Sequence, residues 1–221
     1  LPSDQLGSQF PLTSAQMKAL AQIKFSTGPV ADTTLVNGIP YSTLKLYSPN
    51  DVAGFFAPDR ATDEYNYSTT REDIAMTFEE VMMVRNHGSR RDMAITDKVS
   101  ATSTGSTLTV RWGQRGRVGE GTIKPRAQYV VSQLAPWVLQ ADPNAVANLP
   151  APIPMRPGES WNANLVLPAP PSGLARAQAL AAPQLSSELD QLLLRRALSR
   201  QVLRLSGPAA SHWSPNERWL R

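Results

Sequence analysis

Residues 59–97 read DRATDEYNYSTTREDIAMTFEEVMMVRNHGSRRDMAITD and carry the clearest structural pattern in the chain. Thr69 and Glu72 form the pattern Thr-x-x-Glu, a capping box that begins a helix. Apolar side chains then recur at the spacing of one helix face: Ile74, Phe78 and Val81. Gly88 supplies a residue that readily adopts the left-handed conformation in which helices end. The stretch therefore predicts a long central helix between Thr69 and Gly88.

Shorter elements are predicted on both sides of this helix. Helices are expected to begin at capping or first-turn residues: Thr13 or Ser14, Ser48, and Pro125. Short strands are expected at three places: residues 41–47, 93–96 and 107–112. Much of the remaining chain is rich in turn-forming residues. The predicted fold is mainly α with a few short strands and long irregular loops, an α+β arrangement.

Composition divides the chain into three parts. Residues 1–167 form the predicted folded domain, residues 168–184 are an Ala/Pro-rich linker, and residues 185–221 are a helical tail rich in Arg and Leu. The tail helix, at about residues 185–205, has two interpretations. It packs on its own domain, or it contacts a membrane surface or a partner protein.

Bulk properties exclude several classes of function. The chain has 221 residues and no cysteine, which rules out disulfides, thiolate metal sites and cysteine nucleophiles. Its net charge is only +4, and the arginines of the tail alternate with leucines, so nucleic acid is not an expected partner. No apolar run reaches the length of a membrane span, and no signal-peptide pattern opens the chain. Because Leu1 stands where an initiator Met would be, we expect a processed product or a fragment.

The acidic residues of the central helix allow two interpretations. As a structural residue, Glu72 closes the capping box and complements the helix dipole. As a functional residue, Glu72 is a metal ligand at a helix start, and Asp73 is then a carboxylate that orients a ligand histidine. Glu79 follows Glu72 by seven residues and therefore lies on the same helix face. Residue types favour the cap and leave the ligand interpretation open.

Other motifs for chemistry are incomplete. The two histidines are His87 and His212, and no H-E-x-x-H motif is present. His87 is placed to complement the dipole at the end of the central helix. The Gly-rich run at residues 113–121, GQRGRVGEG, lacks the spacing of a phosphate-binding loop. It is best interpreted as a loop, in which Arg115 and Arg117 are candidates to contact an anion.

The segment YNYSTTREDIAMTFEEVMMVRNHGSRRDMAITD, residues 65–97, resembles the region downstream of the zinc motif in a group of bacterial metallopeptidases. The group is secreted, often lipoprotein-type, and similar to gluzincins. GTIKPRAQYVVSQLAP (121–136) and PAPIPMRPGESWNANL (150–165) resemble the C-terminal half of the same group. The resemblance covers about residues 10–165. It implies a fold like that C-terminal half and a location in the periplasm or cell envelope.

The resemblance also implies roles for individual residues. It makes Glu72 the third zinc ligand and places Asp73 and Glu79 as supporting carboxylates that do not bind the metal. Tyr65 and Tyr67 would lie near the cleft, as candidates to donate a hydrogen bond to a substrate carbonyl or its oxyanion. In such enzymes zinc activates a water that attacks a peptide or protein substrate, and the Glu of H-E-x-x-H acts as general base.

The missing H-E-x-x-H motif separates this chain from a complete enzyme of that group. In the group's arrangement, the motif would precede Leu1. The expected function is therefore that of the C-terminal portion of a gluzincin-like zinc metallopeptidase, which supplies one zinc ligand and is inactive alone. The alternative is a non-catalytic binding or scaffold protein of the cell envelope, suggested by the Pro-rich segments and the tail helix.

Overall fold

The central helix is present as predicted and organises the fold. In the computed structural model, which describes residues 1–25 and 28–166, helix α5 spans Thr70–His87. The Thr69 hydroxyl accepts a hydrogen bond from the backbone N–H of Glu72 at 3.1 Å. At the other end, Gly88 adopts a φ of 62°, and its N–H donates to the Val84 carbonyl. Both ends of the helix are thus set by local hydrogen bonds, as the sequence predicts.

The described residues form eight α-helices and two 3-10 turns. The other helices are α1 (Pro2–Gln9), α2 (Ala15–Lys24), α3 (Tyr41–Leu44), α4 (Pro49–Phe56), α6 (Lys124–Leu134), α7 (Pro136–Ala141) and α8 (Trp161–Leu165). The 3-10 turns are Glu64–Tyr67 and Arg117–Gly119. Within the described ranges, no helix is both long and apolar enough to cross a membrane.

Within residues 1–25 and 28–166, five short strands form two antiparallel sheets. The strands are β1 (Leu35–Val36), β2 (Ile39–Pro40), β3 (Asp92–Thr96), β4 (Val110–Arg115) and β5 (Ile153–Pro154). The first two pair as a hairpin, and the larger sheet has the order β3-β4-β5. In its centre, Ile95 of β3 lies opposite Trp112 of β4. The expected mixture of helices with small strands is confirmed at this coarse level.

The main core lies between α5, α6 and the chain after α7. Its fully buried side chains include Val81, Val118, Ile123, Ala127 and Val131. Burial of one such aliphatic side chain contributes about 1.5–3 kcal/mol. A second core joins α2 and α4 to the larger sheet, with Phe56 against Trp112 at a centroid distance of 5.3 Å. The first core thus packs α5 against α6, and the second packs α2 and α4 against the larger sheet.

The prediction of a strand at residues 41–47 is wrong. The strands of this region lie earlier, at β1 and β2, where Asn37 and Gly38 form the two-residue turn with φ values of 49° and 79°. Two consecutive residues with positive φ are typical of tight hairpin turns. After the hairpin the chain forms the single helical turn α3, which buries Leu44. The later strand expected at 107–112 is also displaced, because β4 covers Val110–Arg115.

The predicted linker at 168–184 and the predicted tail helix at 185–205 lie outside the described residues. The same holds for His212.

Candidate functional site

Glu72 lies in the first turn of α5 with its side chain half-exposed. Its backbone N–H donates to the Thr69 hydroxyl, which is one half of the predicted capping box. The return bond, from the Thr69 N–H to the Glu72 carboxylate, is not formed among the described residues. The cap is therefore made by Thr69, and the Glu72 carboxylate is not tied back to the helix start.

Asp73, one position later, points into the protein and forms a buried ion pair. The Asp73 side chain is 5% exposed, and the Arg126 side chain of α6 is fully buried. Arg126 approaches both carboxylate oxygens, with Nη1 at 2.6 Å from Oδ1 and Nη2 bonded to Oδ2. Asn66 donates from Nδ2 to the same Oδ1 at 2.8 Å. Asp73 thus fixes the first turn of α5 against α6 and the neighbouring 3-10 turn.

The two candidate tyrosines occupy different environments. Tyr67 is buried, and its hydroxyl donates to Asp59 Oδ2 at 2.9 Å. Burial, followed by the negative charge of Asp59, raises the pKa of the Tyr67 hydroxyl far above its usual value. Tyr65 is 36% exposed, and its ring packs edge-on against Phe25 at a centroid distance of 4.9 Å. The Tyr65 side chain is thus partly exposed at the surface, whereas the hydroxyl of the buried Tyr67 is hydrogen-bonded to Asp59.

Asp59 was not predicted as an important residue, yet it joins two parts of the fold. Its carboxylate accepts hydrogen bonds from the backbone N–H groups of Thr13 and Ser14, at the start of α2. Burial alone would raise the pKa of Asp59, but these bonds, with those from Arg60 N–H and the Tyr67 hydroxyl, hold it below its usual value. No local sequence signal links residue 59 to residues 13 and 14, because the contact spans 45 residues.

Glu79 forms an ion pair with Arg91, the residue directly before β3 of the larger sheet. Arg91 bonds Glu79 through Nη2 and Asp63 through Nη1, the latter at 3.1 Å. The Glu79 side chain is 56% exposed, so this pair is largely in water. Glu79 therefore links α5 to the residues before β3, and Asp63 links the same arginine to the 3-10 turn.

The Gly-rich run at 113–121 is folded into β4 and the following 3-10 turn. Arg117 within it is fully buried and donates to four backbone carbonyls, those of Phe56, Ala57, Asp59 and Ala61. Arg115 pairs with Asp92 at 2.7 Å. Both arginines that were candidates for an anion contact are thus engaged by the fold itself.

Glu80 is another ionisable residue that the sequence analysis did not single out. It lies on the buried face of α5, is 1% exposed, and accepts a hydrogen bond from the Val118 N–H at 3.2 Å through Oε1. Its other oxygen, Oε2, has no hydrogen-bond partner among the described residues. Burial raises the pKa of Glu80 to about 7, against the opposing effects of the Val118 N–H, of the Arg91 charge and of the Thr62 hydroxyl.

Replacing Glu80 by Gln is expected to change how stability depends on pH. A carboxyl whose pKa is raised in the folded state stabilises the fold below its unfolded pKa and loses that contribution as the pH rises through the folded value. The pKa of Glu80 is 4.5 in the unfolded chain and about 7 in the folded protein. The free energy of unfolding should therefore decrease by about 3 kcal/mol between pH 4 and pH 8. Gln does not ionise, so the Glu80→Gln variant should not lose this stability. The difference in free energy of unfolding between the variant and the parent protein should therefore grow by about 3 kcal/mol from pH 4 to pH 8.

Urea unfolding of both proteins at several pH values measures this difference. Glu120→Gln is a matched control, because Glu120 also carries a buried oxygen without a described partner. A difference between Glu80→Gln and the parent that stays constant from pH 4 to pH 8 would show that Glu80 does not titrate in this range.

The described residues contain no group of three or more His, Cys, Asp and Glu side chains that could hold a metal ion. Glu72 is therefore a single carboxylate without companions of that kind in the described part of the chain. Asp73, Glu79 and Tyr67 each have a partner within the fold, namely Arg126, Arg91 and Asp59. Comparisons of the chain with protein-family models, with curated proteins and with solved structures found no match.

Proposed function

We propose that this chain is part of a gluzincin-like zinc metallopeptidase, in which Glu72 supplies one zinc ligand. The position of Glu72 carries the proposal: it is a half-exposed carboxylate in the first turn of α5. The helix start beneath it is held by the buried pair of Asp73 and Arg126. A ligand on a rigid helix keeps its geometry better than one on a loop. The proposed substrate is a peptide or protein in the periplasm or cell envelope.

A glutamate carboxylate fits a zinc site, because carboxylate oxygens bind Zn²⁺ alongside histidine nitrogens. One carboxylate is not a site, and the other ligands must come from outside the described residues. Zinc, when bound, would supply a Lewis acid and an activated water. In this proposal the chain alone binds zinc weakly and hydrolyses nothing. Asp73 and Arg126 act as positioning residues, since their ion pair fixes the helix turn that carries Glu72.

The test uses the full reading frame that encodes this chain. The proposal requires an H-E-x-x-H segment in that frame, and a frame without one overturns it. In the full protein, Glu72→Gln should lower zinc affinity by more than about tenfold, since loss of an outer partner of a ligand alone costs about 10–100-fold. Zinc content after dialysis, measured by atomic absorption, reports this loss. Peptide hydrolysis should fall with it.

Glu159→Gln is the matched control, because Glu159 is a partly exposed glutamate outside α5 whose pair with Arg156 lies in water. It should retain zinc and activity. Zinc retention by Glu72→Gln equal to that of the control would contradict the ligand role. Tight stoichiometric zinc binding by the 221-residue chain alone, measured by calorimetry, would contradict the incomplete site.

The second candidate is a non-catalytic binding or scaffold protein of the cell envelope. One observation favours it: Asp73, Glu79 and Tyr67 all have structural partners inside the fold. Recovery of binding partners from an envelope extract, with and without residues 184–206, tests the part assigned to the tail helix. Equal recovery by both proteins would remove the tail helix from this candidate function.

A further inference from the structure

The two edges of the larger sheet are built differently. At one edge, β5 has only two residues, Ile153–Pro154, and a proline has no backbone N–H to donate. Short strands and prolines are devices that keep a sheet edge from pairing with another chain. At the other edge, β3 has five residues, Asp92–Thr96, with neither proline nor glycine among them. Of the two edges, that of β3 is therefore the one able to accept a further strand.

The hydrogen bonds that flank the ladder show which way each residue of β3 faces. The Gly116 N–H donates to the Arg91 carbonyl at 2.9 Å, and the Asp97 N–H donates to the Thr109 carbonyl at 3.0 Å. Arg91 and Asp97 thus both direct backbone groups toward β4, and the β-bulge of this ladder adds its extra residue to β4 rather than to β3. Because successive residues of a strand direct these groups to opposite sides, the even-numbered residues face away from β4. These outward residues are Asp92, Ala94 and Thr96.

The outward backbone groups of β3 have no hydrogen-bond partner within residues 1–25 and 28–166. All three outward residues are partly exposed. A backbone N–H or C=O that is buried in a protein is almost always paired there. We therefore expect these groups to face solvent in the single chain, where a further strand can replace the solvent.

The strand β3 is complementary to a second copy of itself in one antiparallel register. When a two-fold axis passes beside Ala94, the two small Ala94 side chains lie opposite each other. Asp92 then faces Thr96 of the partner subunit, and such a pair exchanges N–H···O=C bonds in both directions. On the face that packs on the second core, Met93 faces Ile95 of the partner subunit, which adds an apolar cross-strand pair. This register pairs all five residues of β3.

The charges along β3 and at its ends favour the same register. Arg91 would lie opposite Asp97 of the partner subunit on both sides of the axis, and opposite charges across strands stabilise pairing. A register centred on Asp92 would instead place two Asp92 carboxylates opposite each other, which is destabilising. The next pair outward, Arg90 with Lys98 of the partner subunit, has like charges and would limit the pairing to the strand and its flanking residues.

We propose that two copies of this chain associate through β3 in this register and form one continuous sheet across the two-fold axis. A symmetric dimer uses the same surface on both subunits, which a self-complementary strand edge provides. Arg91 and Asp97 each have a partner within their own chain as well, namely Asp63 and Arg111. The main contribution therefore comes from the backbone bonds of β3. The proposal does not depend on zinc or on peptidase activity.

Charges placed at the axis test this register. Ala94→Lys and Ala94→Glu each put like charges opposite each other, so each should raise the dissociation constant of the dimer at least about tenfold. An equimolar mixture of the two variants brings opposite charges together and should restore the dimer. Ala101→Lys is the matched control, because Ala101 is exposed in the loop between β3 and β4, and it should dimerise like the parent protein.

Analytical ultracentrifugation of the 221-residue chain measures these dissociation constants. The parent protein should show a reversible equilibrium between monomer and dimer. A parent protein that stays monomeric up to about 1 mM, a concentration at which weak association is visible, overturns the proposal. Dimerisation of Ala94→Lys as tight as that of the parent, or a mixture no tighter than the separate variants, overturns it as well.

Hydrogen exchange provides a second measurement that needs no variant. The N–H groups of Ala94 and Thr96 point away from β4, so dimer formation should protect them. Their exchange should slow at least about tenfold as the protein concentration rises well above the dissociation constant. The N–H of Met93 faces β4 and is the internal reference, whose exchange should change much less. Exchange at Ala94 that does not depend on protein concentration would contradict pairing through this edge.

Discussion

Replacement of Arg126 by Met is expected to lower the free energy of unfolding by about 3–5 kcal/mol. Arg126 is fully buried and neutralises Asp73, whose side chain is 5% exposed. Without the guanidinium, Asp73 keeps a buried negative charge with only the Asn66 amide and its surroundings to stabilise it. The loss of the bond from Arg126 Nε to the Phe10 carbonyl adds to the effect. Urea unfolding followed by far-UV circular dichroism measures the change.

Two comparisons make this result specific to the buried pair. In the double variant Asp73→Asn with Arg126→Met, the unpaired charge is removed, so part of the lost stability should return. Lys45→Met breaks the exposed pair of Lys45 with Asp32 and should cost less than about 1 kcal/mol. A loss below about 1 kcal/mol for Arg126→Met would contradict the role of Arg126 as the partner that stabilises the buried Asp73 carboxylate.

Replacement of Arg117 by Met is expected to destabilise the fold by at least about 3 kcal/mol. Its guanidinium donates to four carbonyls in residues 56–61, which close the end of α4. Met has no donor, so the carbonyls of Ala57, Asp59 and Ala61 lose their bond from Arg117, whereas that of Phe56 keeps the one from the Asp59 N–H. The guanidinium also lies 4.5 Å from the centroid of Phe56 and 4.8 Å from that of Trp112. Desolvated cation–π contacts of this kind contribute about 2 kcal/mol or more.

The contribution of the planar guanidinium shape of Arg117 can be tested separately from that of its charge. Arg117→Lys keeps the charge, but its ammonium has three donors on one atom and cannot reproduce the fork. It should therefore also be destabilised, by an amount between zero and that of Arg117→Met. Arg111→Met, which removes an exposed arginine paired with Asp97, is the control and should cost less than about 1 kcal/mol. Equal stability of Arg117→Met and this control would refute the bridging role.

Helices with strong local signals were predicted from the sequence. Ser48 caps α4 through a complete capping box with Asp51, and Ser14 caps α2 by accepting from the Met17 N–H. These contacts span three residues, so the pattern of residue types is sufficient to locate them. In contrast, α1 begins without a side-chain cap. It is held by Leu6, which packs with Ile74 of α5 and Val130 of α6, and such contacts leave no local pattern.

The candidate site was predicted only in part, because residue type alone does not determine which side of α5 a carboxylate faces. Glu72 was identified as a helix-start acid, and its position agrees with that description. Its proposed zinc chemistry remains a prediction. Glu80 was not singled out, although it is the most buried carboxylate on the same helix. An acidic residue is normally interpreted as a solvent-facing one, and its burial became visible only with the contact to Val118.

The sequence alone determined where the helices with caps begin and end, because those signals act over one turn of chain. It also excluded cysteine chemistry and a complete H-E-x-x-H site within these 221 residues. The tertiary structure alone decided the roles of the buried charges. Asp73 meets Arg126 across 53 residues, and Arg117 reaches carbonyls up to 61 residues away. Their partners come together through packing of the cores, and burial then makes these pairings necessary, since an unpaired charge inside a protein is costly.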